Sequence, residues 1–160
     1  MQLHQSLPFV VALAWLASAC AGSDINSPPR RSIPVFLPQE LPLPAETRIT
    51  PPDKDVPPQY AVFAGKWGGR WVGSHIPVLL VVEDVKRSGE IRGTYVWGEL
   101  PEEARQRGTW KYRAQIRNGT FQLGSSSRLE FKLMANGSLQ VHHYDNKGIQ
   151  TGELTLTRIH

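Results

Sequence analysis

The chain has a single cysteine, Cys20, among 160 residues. One thiol excludes an intrachain disulfide and any cysteine-based zinc site. No apolar run reaches the roughly twenty residues that a membrane-spanning helix needs. Phosphate-cradling loops, dinucleotide fingerprints and Gly-x-Ser-x-Gly elbows are missing too. Of the five histidines only His142 and His143 are adjacent. On a strand, neighbouring side chains point to opposite faces, so these two cannot chelate one ion. His143 is expected in the core with one hydrogen bond and His75 in a loop; His160 is the last residue. Ser125-Ser126-Ser127 reads as a turn with no evident base beside it, and Glu99, Glu102 and Glu103 as one solvated loop. No metal or cofactor is expected, and these absences argue against an enzyme.

What is present begins with an apolar leader. Leu7 to Ala19 reads LPFVVALAWLASA, followed at once by Cys20. About thirteen apolar or small residues make a signal-peptide core, with Ala17-Ser18-Ala19 as its small-residue cleavage pattern. Leu16-Ala17-Ser18-Ala19-Cys20 resembles a bacterial lipobox, which implies a lipid on Cys20, a membrane anchor and a place in the cell envelope. Ordinary cleavage after Ala19 or Ala21 is the alternative. Export disfavours a nucleic-acid partner.

Residues 21–59 hold ten of the 13 prolines. Proline removes backbone donors and fixes φ, so neither helix nor sheet propagates. Residues 20–59 are therefore expected to form a disordered, extended tether, with residues 21 to about 58 dispensable for folding.

From Tyr60 onward the pattern changes, and residues 60–160 read as one all-β domain. Apolar and polar residues alternate, and Gly or Asn-Gly interrupts them every eight to twelve residues, as in a sandwich or barrel. Eight strands are expected, near residues 66–72, 78–85, 90–97, 109–117, 120–123, 128–134, 138–144 and 151–159. A helical period is absent, except for a short stretch at 101–106. Asn118-Gly119 and Asn136-Gly137 are read as two-residue type I′ turns, whose central positions both need positive φ. In the fourth strand Trp110, Tyr112, Ala114 and Ile116 share an inner face, and Lys111, Arg113, Gln115 and Arg117 an outer one. Short links predict a meander that closes into an eight-stranded antiparallel barrel without free edges.

Gly65-Lys66-Trp67 and Gly69-Arg70-Trp71 open the first strand, and Leu154-Thr155-Leu156-Thr157-Arg158 closes the last. Gly-x-Trp on the first strand with Arg on the last resembles the calycin-type barrels, the lipocalins and avidins; Gly93-Thr94-Tyr95 resembles the third strand of the avidin type. The resemblance implies that Arg158 lies over an inner tryptophan, with Trp67 preferred, as a cation–π contact. The terminal helix of lipocalins has no counterpart here, and avidin's ligand-binding cluster is not recognisable.

Two readings of the inner aromatics stay open. Trp67, Trp71, Tyr95 and Trp97, with Trp110, Tyr112, Phe121 and Phe131, either fill the barrel or line a site for a small apolar ligand. After Tyr60 there are 14 Lys and Arg against nine Asp and Glu. The outer stripe of Lys111, Arg113 and Arg117, with Arg92 beside it, fits an anionic envelope component. The expected function is a non-catalytic, membrane-tethered binding or interaction module, with a lipocalin-like carrier as its rival and an accessory enzyme third.

Overall fold

The computed structural model describes residues 40–99 and 106–160. The leader, Cys20 and the expected helical stretch up to residue 105 lie outside the described residues. A one-turn helix α1 (Pro58–Ala61) precedes β1 (Gly65–Arg70), β2 (Pro77–Val85), β3 (Glu90–Trp97) and β4 (Gly108–Gln115). β5 (Thr120–Leu123), β6 (Arg128–Leu133), β7 (Leu139–Tyr144) and β8 (Gln150–Ile159) complete the chain. α1 starts with Pro58 at its first position, where the missing N–H costs nothing.

The eight strands form one antiparallel sheet in the order β4-β3-β2-β1-β8-β7-β6-β5. The first and last strands pair, with Trp67 opposite Arg158. The result is a nearly closed barrel. The remaining seam, between β4 and β5, corrects the expectation of no free edge. These strands join through Asn118-Gly119, whose φ values of 51° and 73° make the type I′ turn. They bridge at Arg117 and Thr120, and the regular ladder stops there. Side chains span the gap instead. Tyr112 from β4 stacks near Phe121 from β5, which stacks on Phe131 from β6, with centroids 6.4 and 4.6 Å apart.

Asn136-Gly137 is a different turn from the one expected. Only Gly137 has positive φ, at 80°. Gly137 N–H donates to Met134 O, and Met134 N–H to Ser138 O, both at 2.9 Å. This is the three-residue loop, a turn followed by a left-handed glycine. Asn136 Oδ1 accepts from Ser138 N–H and Oγ–H at 3.0 and 2.7 Å, a local bond that holds the turn. Lys86–Glu90 and Asp145–Ile149 repeat the same bonding pattern.

β2 is buried on both faces. Val78, Leu80 and Val82 enter the barrel core. Leu79 and Val81 join a second cluster outside the barrel, with Leu41 and Val96. Leu41, in the segment read as tether, is only 5% exposed there. Val56 enters the barrel core, and Thr50 N–H donates to Glu83 O at 2.7 Å. The packed part of the chain therefore begins before Tyr60. A Pro-rich segment cannot extend a sheet, but it can cover one, because apolar burial is non-directional and needs few backbone bonds. The carbonyl that Thr50 binds sits at a register shift between Val82 and Asp84. This bulge turns both Val82 and Val85 into the core, three residues apart.

Candidate functional site

The two ends of the barrel differ. At the end carrying α1, Phe63 and Trp67 are fully buried, and Trp67 Nε1–H donates to Phe63 O at 2.8 Å. The Arg158 guanidinium carbon lies 4.3 Å from the centre of the Trp67 ring. Arg158 Nη1 donates to Ala64 O at 2.7 Å, and Nη2 donates to Val62 O. One arginine thus satisfies two carbonyls of the turn after α1 and covers the indole. Gly65 makes this possible. Its φ is +122°, and a β-carbon there would stand 2.7 Å from Arg158 Nη1.

Of the eight inner aromatics, Trp67, Tyr112, Phe121 and Phe131 fill this lower half. Tyr112 crosses over Gly93, where a β-carbon would come within 2.7 Å of its hydroxyl. The hydroxyl donates to Val81 O at 3.2 Å. Burial, then the charge of Glu83, pushes the Tyr112 phenol well above its ordinary pKa.

The opposite end is an open cup of about 880 Å³. Trp71, Tyr95, Trp97 and Trp110 line it, above Leu123 and Leu129. Two of the indoles sit against glycines. Trp97 lies over its cross-strand partner Gly108, and its Nε1–H donates to Gln106 O at 3.1 Å. Trp71 lies over Gly152, with ring carbons 3.2 and 3.3 Å from where a β-carbon would be. Trp110, expected in the core, is instead 41% exposed at the rim. It sits two residues into β4, at the mouth of the cup.

One wall of the cup is polar. Ser127 Oγ and Thr151 Oγ1 each lie 2.7 Å from the His143 ring, at Nε2 and Nδ1 respectively. Trp71 meets the same ring edge-on at 6.2 Å. His143 therefore makes two hydrogen bonds, not the single one expected, and Ser127 does have an imidazole beside it. Sequence spacing could not reveal this. His143 is opposite Leu129 on β6 and Gly152 on β8, so Ser127 and Thr151 flank it only once both registers are set.

The outer basic stripe is partly neutralised. Arg92 Nε lies 3.0 Å from Asp84, and Lys111 Nζ lies 2.9 Å from Glu83. Among the described residues, no group of three or more His, Cys, Asp or Glu is placed to hold a metal ion. No helix among them is long and apolar enough to cross a membrane. No protein-family model matches the chain, and neither does any curated protein.

Proposed function

We propose that the chain is a non-catalytic binding protein of the calycin type that carries a small, mainly apolar molecule in its cup. The observation behind this reading is the cup itself. At about 880 Å³ it falls within the range of ligand pockets, roughly 300–1,000 Å³. Four aromatic and four aliphatic side chains line it beside a few convergent polar groups, a mainly apolar composition usual for such sites. A packed lower half beneath an open upper half supports the lined-cavity reading for the upper aromatics.

The neutral fluorophore N-phenyl-1-naphthylamine tests this. Saturable uptake at one molecule per chain is expected, together with its loss in Leu129→Glu, which places an unpaired charge in the cup. No saturable uptake, or uptake indifferent to that substitution, removes the carrier reading.

The lipobox resemblance supports export and attachment to the bacterial envelope through Cys20. In a bacterial host the exported chain is then expected in the membrane fraction and its Cys20→Ser form in the soluble fraction. Equal distribution of the two rejects the anchor. The ion pairs at Arg92 and Lys111 weaken the rival reading, an anionic partner on the outer face.

A further inference from the structure

The cup carries information about its ligand beyond apolarity. Among the described residues that line it, none is Asp, Glu, Lys or Arg. Against the described lining other than His143, a charged ligand group would lose water without gaining a counter-ion, at a cost that apolar contacts do not recover. The indoles of Trp71 and Trp97 are seated on Gly152 and Gly108 and offer extended π faces, which favour flat aromatic partners.

The polar wall has a definite logic. A neutral imidazole has one N–H donor and one bare acceptor nitrogen. Held between Ser127 and Thr151, it donates to one hydroxyl and accepts from the other. The hydroxyl that accepts keeps its own proton free. The hydroxyl that donates offers only lone pairs. The row Ser127–His143–Thr151 thus shows the cup one donor and one acceptor, and moving the ring proton to the other nitrogen exchanges them. The two hydrogen bonds set the ring's orientation, and Trp71 meets it edge-on.

We propose that the ligand is a neutral, planar aromatic molecule bearing one hydrogen-bonding group, such as a phenol, and that this group bonds to the Ser127 or the Thr151 hydroxyl, whose donor or acceptor role His143 sets. This rests on the cup being a ligand site.

Equilibrium dialysis of the exported chain with naphthalene, 2-naphthol and 2-naphthoate tests the inference. These share one flat body and differ only in the polar group. 2-Naphthol is expected to bind about threefold to tenfold more tightly than naphthalene, the factor for one net neutral hydrogen bond. 2-Naphthoate is expected to bind more weakly than 2-naphthol. Ser127→Ala, Thr151→Val and His143→Gln are expected to shrink the 2-naphthol advantage, read in each variant as the ratio of its 2-naphthol and naphthalene affinities. Equal binding of 2-naphthol and naphthalene overturns the inference, as does an advantage that survives in all three variants; tightest binding of 2-naphthoate overturns the claim of neutrality. In each of those cases uptake of N-phenyl-1-naphthylamine still stands for the cup. If that probe and all three naphthalenes fail to bind, the cup reading falls and this inference with it.

Discussion

Leu41 offers the sharpest test of how the Pro-rich segment contributes to the fold. Its side chain is 5% exposed, packed on Leu79, Val81 and Val96. Leu41→Ala removes burial worth about 2 kcal/mol by transfer. Core Leu→Ala changes cost about 2–5 kcal/mol in all, the upper end belonging to sites that cannot collapse. Here the covering segment lies on the outside and can settle, so about 2–3 kcal/mol is expected. Shortening the chain to begin at Gln59 does more. It removes Leu41 and Val56 together, takes away the Thr50 donor to Glu83, and opens three buried side chains to water. The opposing gain in chain entropy is small, because six prolines between Pro42 and Pro58 already restrict the unfolded segment. Chemical denaturation of the exported chain, Leu41→Ala and the shortened chain measures both effects, with the exposed Ile49→Ala as the control expected within about 0.5 kcal/mol. If Leu41→Ala matches that control and the shortened chain unfolds at the same midpoint as the whole, the segment is a spacer and the reasoning is refuted.

Arg158→Ala is expected to cost about 1–3 kcal/mol in the same assay, because two charge-assisted bonds and a cation–π contact go while solvent screens the exposed guanidinium. Arg158→Lys recovers only part of this, lacking the flat fork; Arg113→Ala, on the outer face, stays within about 0.5 kcal/mol, and equality of the Arg158 and Arg113 variants rejects the contact. Tyr112 sets an alkaline limit. Its folded pKa is raised above the unfolded value of 10.0, so the native state holds the proton more tightly. Its contribution to stability is fully present below pH 10 and declines as pH rises beyond it. Tyr112→Phe keeps the ring and removes this decline, and an unchanged slope above pH 10 in that variant contradicts the assignment.

The extent to which sequence determined this protein differs from strand to strand. Period-two alternation located all eight strands, because a side chain's face depends only on its own position along the strand. The type I′ turn at Asn118-Gly119 was legible for the same reason: its chemistry is local. Asn136-Gly137 looked identical but folded otherwise, since the neighbouring Ser138 supplied a competing bond to Asn136. β2 carried a readable signal that alternation passed over. Its unbroken run of Pro77 to Val82 is the pattern of a strand buried on both faces, and one face needed a cover from elsewhere in the chain.

The candidate site divides along the same line. Sequence singled out the inner aromatics, because parity on a strand distinguishes inside from outside. Which of them pack and which line a cup depends on height within the barrel, and that follows from strand register, from Phe63 and Arg158 closing one end and from the β4–β5 seam. Trp67 in β1 and Trp71 just past its end are four residues apart, yet one is sealed beneath Arg158 and the other stands at the mouth over Gly152. Ser127, His143 and Thr151 were unconnected in sequence. They meet because two strand registers bring both hydroxyls to one imidazole, and register is set by the cooperative packing of the whole barrel rather than by any one residue.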